Sequence, residues 1–166
     1  MNPGPYVTLP KEKVQLYDKY EQLYLENLKS SMELIDIWLG GTGVLIAIEN
    51  TGLFNRPYIQ ASVKQLLKSR RFCLTWDVGH DYSSSHADRD FLLEHQSDIK
   101  HIHLHDAKGK KDHLALYSGE VGLKEKLEIA KKNRASVLIE VKTKESLIQS
   151  VARLKQNYIF KSTSPL

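Results

Sequence analysis

Between residues 12 and 39 the apolar positions Val14, Leu16, Tyr17, Tyr20, Leu23, Tyr24, Leu28, Met32, Ile35 and Leu39 recur mostly at three- and four-residue steps. That period predicts a long helix behind an opening turn, "MNPGPY", and "GGTG" at 40–43 stops it. "VLIAIEN" follows as a run of β-branched and apolar residues and reads as a strand. The alternation then repeats. A helix is expected over about 59–68 before the strand "FCLTWDVGH", and another over about 88–95 before the strand "IKHIHLHD". A helix over about 122–132 precedes "SVLIEVKT", and a last one covers about 144–157. Four strands alternating with five helices imply βαβ units and a parallel sheet. No linker or low-complexity tract interrupts the pattern, so residues 1–166 are expected to form a single α/β domain.

Each strand is largely apolar until its C-terminal end, where a residue able to bind metal stands: Glu49, Asp77, His103 and Glu140. Side chains alternate across a strand, so each shares a face with its neighbours two and four positions back. Those neighbours are Ala47 and Leu45, Thr75 and Cys73, His101 and Ile99, and Leu138 and Ser136. The opposite face carries Ile48 and Ile46, Trp76 and Leu74, Leu104 and Ile102, and Ile139 and Val137, with Lys100 its one polar exception. The bulky face suits covering helices. The mixed face suits the interior of a (β/α)8 barrel, whose active sites lie at the C-terminal ends of the strands.

An acidic residue at one strand end often only caps the next turn. Four ligand types in succession, one of them histidine, are better explained as a set converging on one mouth. Carboxylate with imidazole suits a divalent ion such as Mn²⁺, Zn²⁺, Co²⁺ or Mg²⁺, and the ligand types alone do not choose among these. The stretch "HIHLHDAKGKKDH" at 101–113 holds four of the seven histidines, and His103 among them is expected to be a metal ligand. His101 lies one layer deeper and is expected to be a hydrogen-bonded packing residue. His105 and Asp106, just past the strand, are placed either to orient a ligand or to touch substrate.

Composition narrows the setting. With 41% hydrophobic and 27% charged residues the chain reads as an ordinary globular protein. Its one cysteine, Cys73, allows no internal disulfide and points to a reducing, cytoplasmic compartment. No apolar run approaches the roughly 18 residues of a membrane span, and no signal-peptide pattern opens the chain. A net charge of +4 and a pI near 9.0 would suit a polyanion, but the lysines are spread over helix-like segments rather than clustered.

Five motifs occur in order between residues 44 and 143: "IAIENTG", "TWDVGH", "IKHIHLHDAKG", "DHLALYSGEV" and "VLIEVKT". Together they resemble the xylose isomerase-like TIM-barrel superfamily, which includes sugar and sugar-phosphate isomerases and epimerases and the endonuclease IV-type enzymes of AP endonuclease family 2. The resemblance implies a partial (β/α)8 barrel with about four parallel strands and covering helices. It also implies that Glu49, Asp77, His103 and Glu140 hold one divalent metal, with Glu49 and Glu140 catalytic. Those two would exchange the proton beside a carbonyl while the metal holds the enediolate. His80 matches a residue that contacts substrate in the sugar enzymes and binds a further zinc in the endonucleases. His113 matches the histidine of the following loop, also a zinc ligand in the endonucleases. The expected partner is a small sugar or sugar phosphate.

Departures from the family pattern set the alternatives. Tyr117 and Ser118 stand where glycine and glutamate are usual, and Asn2 stands where the endonucleases place a metal histidine. An abasic-site endonuclease with three zincs remains a reading, with Glu49, Asp77, His80, His103, His113 and Glu140 as ligands, Asp112 as an addition, and DNA as its partner. "KGKK" at 108–111 is its nearest basic strip, and a solvated loop is the plainer meaning. Family barrels have eight strands and about 250 residues, whereas only the last four strands are recognisable here. The chain is therefore expected to be incomplete as an enzyme by itself, and an inactive half-barrel fragment or binding module is a third reading. Its two sheet edges, at "VLIAIEN" and "SVLIEVKT", predict self-association, most simply as a two-fold dimer.

Overall fold

The computed structural model describes residues 6–159. Asn2 and most of the opening turn lie outside the described residues. The chain starts with a hairpin, β1 (Tyr6–Thr8) paired antiparallel with β2 (Lys13–Gln15), followed by a short α1 (Leu16–Lys19) and the long α2 (Glu21–Trp38). The single helix expected over 12–39 is thus corrected. Val14 lies opposite Val7 in the hairpin, Gln15 Nε2 donates to Tyr58 Oη at 3.1 Å, and Tyr20 breaks the helical geometry at φ −120°, ψ 38°. The apolar period ran through this break because Val14 and Leu16 are part-buried in a strand and a helix turn alike.

The centre of the fold is a four-stranded parallel sheet. Its strands are β3 (Ile46–Glu49), β4 (Phe72–Asp77), β5 (Ile99–Leu104) and, after an excursion, β8 (Ser136–Ile139), in the order β3-β4-β5-β8. α3 (Pro57–Leu66), α4 (Val78–Ser83), α5 (Arg89–Glu94), α6 (Leu123–Asn133) and α7 (Lys144–Leu154) connect and follow them. The expected α/β class is observed, with four parallel strands and covering helices, and β3 and β8 form the edges of an open sheet. Leu74, Trp76, Ile102 and Leu104 are completely buried on one face, under Val63, Phe91, Leu92, Leu123 and Leu127 of the helices. Each large side chain so buried contributes about 1.5–3 kcal/mol, which fixes that face outward and turns the mixed face the other way.

Two further corrections matter for the site. The strand expected over "FCLTWDVGH" ends at Asp77, because the Asp77 carboxylate accepts from the His80 N–H at 2.7 Å and caps α4. His80 therefore sits in the first turn of a helix. The strand expected over "IKHIHLHD" ends at Leu104, and the chain doubles back through a second hairpin, β6 (Asp106–Lys108) and β7 (Lys111–Leu114). Gly109, at φ +57°, makes the turn, and the hairpin returns His113 to the strand ends. No helix among the described residues is long and apolar enough to cross a membrane.

Candidate metal centre

Strand alternation delivers four side chains to one place. Asp77 and His103 are paired neighbours at the ends of the two central strands, while Glu49 ends one edge strand and Glu140 directly follows the other. His103 Nδ1 lies 3.0 Å from Glu140 Oε2, 3.3 Å from Glu49 Oε1 and 3.7 Å from Asp77 Oδ2. Three of these atoms, His103 Nδ1, Asp77 Oδ2 and Glu140 Oε2, are buried without a hydrogen-bond partner. Buried polar atoms without partners cost about 1–3 kcal/mol each. Gathering two such carboxylate oxygens against one ring nitrogen is the arrangement a divalent cation would relieve, and the donor set of three carboxylates and one imidazole fits it chemically. Glu49, Asp77 and His103 place one ligand atom each within 4.8 Å of one another, as do Asp77, His105 and Glu140.

His105 belongs behind the site rather than in it. The ring is completely buried, its Nε2 lies 2.9 Å from Asp77 Oδ1, and its Nδ1 accepts the backbone N–H of His113 at 2.8 Å. With Nδ1 accepting, the neutral ring carries its proton on Nε2 and donates it to Asp77. Burial works against a charged His105, but the hydrogen bond and charge of Asp77 prevail and raise its pKa above the ordinary value. Burial likewise pushes the Asp77 carboxyl up, while His105, the His80 N–H and the His80 ring outweigh it and hold Asp77 below its usual range. One face of the His105 ring lies on Gly79, where any Cβ would overlap the ring, and the other stacks on His113 with centroids 4.1 Å apart.

The remaining expected residues divide cleanly. His80 Nδ1 lies 3.4 Å from Asp77 Oδ2 and 4.0 Å from Glu49 Oε1, at the rim of the cluster. His113 Nε2 lies 3.5 Å from Glu140 Oε1, and its Nδ1 lies 2.9 Å from Asp112 Oδ1. The His113 ring, aided by Lys142, holds the Asp112 carboxyl at about 2. His101 bonds Ser136 Oγ at 2.6 Å, one layer below His103. Asp106 touches no open space: it accepts the backbone N–H groups of Ala107, Gly119 and Val121 and so fixes the 115–121 loop that carries Tyr117 and Ser118.

Two supporting residues escaped the sequence reading. Asn50 is completely buried, accepts the Asp77 N–H at 2.7 Å and donates to the Asp77 carbonyl at 3.2 Å. Asp88 accepts from Asn50 Nδ2 and from the N–H groups of Gly52 and Phe54, tying down the loop after Glu49. The Asn beside a strand-end Glu was visible in "IENTG", whereas Asp88 gave no local sign because its partners lie 34 to 38 positions away.

No protein-family model and no curated protein matches this chain. Among solved structures it is similar to the 3-keto-D-glucoside 4-epimerase YcjR from E. coli in its apo form, with a TM-score of 0.55 and 13% identity over 90% of this chain. The chain spans 57% of the length of that structure. At that identity the likeness is one of fold.

Proposed function

We propose that this chain is a sugar or sugar-phosphate isomerase/epimerase-like protein of the xylose isomerase-like superfamily, built as part of a (β/α)8 barrel. The observation that carries this reading is the placement of Glu49 and Glu140. They stand at the C-terminal ends of the two outer strands of the sheet, with Asp77 and His103 between them, and both reach the same ring nitrogen. The likeness in fold to a sugar epimerase supports it. A divalent ion held by Glu49, Asp77, His103 and Glu140 would acidify the C–H beside a bound carbonyl. One glutamate then takes that proton and the other returns one from the opposite side, the division of labour that an epimerisation needs. His80 and His113, on the rim, donate to substrate oxygens, and Asp112 fixes the orientation of His113.

The test is solvent-deuterium exchange at the carbon beside the carbonyl of ketoses and keto-glycosides, followed by NMR with Mn²⁺, Zn²⁺, Co²⁺ or Mg²⁺ added. Exchange is expected, and Glu49→Gln or Glu140→Gln should abolish it and weaken metal binding. The second reading, an endonuclease IV-type abasic-site nuclease, is favoured by the additional ligand atoms of His80, Asp112 and His113 beside the main cluster. Three tightly held zincs and nicking of abasic DNA, without exchange on any sugar, would establish that reading instead. Bound metal with neither activity would leave a binding module.

A further inference from the structure

A pocket adjoins the metal centre across the His80 ring. It holds about 360 Å³, a size usual for small ligands, between the loop after Glu49, the end of α4 and the β6–β7 hairpin. Thr51, Leu53, His80, Ser83, Ser84 and Asp112 line it, and Gly52 completes the wall. That wall is fixed. Asp88 accepts the Gly52 N–H at 2.6 Å and the Phe54 N–H at 2.7 Å, and Gly52, at φ +78°, passes close beside Ser84. The polar atoms of the pocket are mostly acceptors. Ser83 Oγ donates to the His80 carbonyl at 3.2 Å and Ser84 Oγ to the Asp81 carbonyl at 3.0 Å, so each hydroxyl offers a ligand its lone pairs. Asp112 Oδ1 lies 2.9 Å from His113 Nδ1 and 3.3 Å from Lys142 Nζ. Its Oδ2 lies 3.7 Å from His80 Nε2, too far for a hydrogen bond, and keeps acceptor capacity on the side of that ring. Among the described residues, no lysine or arginine lines the pocket. His80, the lining side chain able to carry a positive charge, is flanked by the carboxylates of Asp77 and Asp112.

We infer that this pocket receives the unreacting end of the substrate and selects a hydroxylated chain that carries no phosphate. The inference rests on the sugar-enzyme reading above for what reacts at the cluster, and it narrows that reading to neutral sugars. A substrate whose carbonyl sits between Glu49 and Glu140 lays its remaining carbons past His80, whose Nδ1 is 3.4 Å from Asp77 Oδ2. Sugar hydroxyls bring O–H donors to the lone pairs of Ser83, Ser84 and Asp112. A phosphate dianion brings oxygens that only accept, and here they meet other acceptors. Charge acts in the same direction. Glu49, Asp77 and Glu140 together outweigh one divalent ion, and Asp112 adds a further negative charge beside them. Lys142 pairs with Asp112 from an exposed position, where water screens most of its effect. A like charge at such a range costs an anionic ligand about tenfold in affinity.

Binding, rather than turnover, tests the inference. The chain is titrated calorimetrically, with Mg²⁺ present, against sorbitol and sorbitol 6-phosphate, neither of which has a carbonyl to react. Sorbitol should bind at millimolar concentration and its phosphate at least about tenfold more weakly. Asp112→Asn, similar in size but uncharged, should shrink that ratio severalfold. Ser83→Ala removes one acceptor and should weaken sorbitol by about twofold to tenfold, with the far-UV circular dichroism unchanged. Sorbitol 6-phosphate held as tightly as sorbitol overturns the inference. So does the absence of sorbitol binding, or sorbitol binding that ignores both substitutions, since its seat would then lie elsewhere. Sorbitol bound as expected, with no deuterium exchange on any ketose, would strike the enzyme reading and leave the pocket's preference standing.

Discussion

His105 commits both ring nitrogens to the protein, one to the Asp77 carboxylate and one to the His113 backbone, and has none left for an ion. Its contribution is to hold Asp77 in the orientation that turns Oδ2 toward His103. Removing such outer partners usually lowers metal affinity about 10–100-fold. His105→Phe, which keeps the ring's bulk, should show a loss of that size in a calorimetric titration of the metal-free protein with Mn²⁺ or Zn²⁺. Gly79→Ala should do the same by a different route, because its methyl would occupy the space of the His105 ring. Unchanged affinity in both variants would mean that Asp77 needs no support. At this scale the sequence was informative where alternation alone decides direction, as at Glu49, Asp77, His103 and Glu140. It was uninformative where a partner comes from another element, as for Asn50 with Asp88 and for His105 with Gly79.

The strands of the parallel sheet and the longer helices were legible because a buried strand shows an apolar run and an amphipathic helix shows its period. β4 is buried at all six of its positions, and its apolar run announced it. The two hairpins have strands of three or four residues, too short for a period to register, and the turn at Gly109 looked like a solvated basic loop. α4 was missed because Asp77 serves two purposes, ending a strand and capping a helix. α6 holds a different surprise. Its Lys126 is only 3% exposed, with Nζ 4.0 Å from the centroid of the Trp76 ring and 3.4 Å from Glu125 Oε2. Burial pushes this amine below its ordinary 10.5, with Glu125 partly offsetting the shift. A base whose folded pKa is depressed binds fewer protons than in the unfolded chain between the two values, so its cost falls as pH rises through that interval. Lys126→Met should therefore raise stability at pH 7 by about 1 kcal/mol. The gain over wild type should shrink as pH climbs toward 10.5, as followed by urea unfolding at several pH values. A constant gain would mean that the lysine stays charged throughout.

For the molecule as a whole, the same four clustered residues that define the candidate site also bear on an order of events. They come from the ends of four separate strands, and in the native sheet β4 and β5 lie between the strands that carry Glu49 and Glu140. Closing such long loops early is unfavourable, and contacts of this separation form late on the route to the native state. An ion that needs all four ligands thus finds no binding site in the unfolded chain and none in a transition state that lacks the outer strands. At a free concentration one hundred times its dissociation constant it would stabilise the native state by about 2.7 kcal/mol. That whole amount should appear as roughly 100-fold slower unfolding, with the refolding rate unmoved. Stopped-flow chevrons with and without metal would show one limb displaced and the other superimposed. Such an ion would act as a latch on a finished structure, and its consequence for the protein's lifetime would be kinetic: metal-loaded molecules should outlast metal-free ones under protease attack by the factor their opening is slowed.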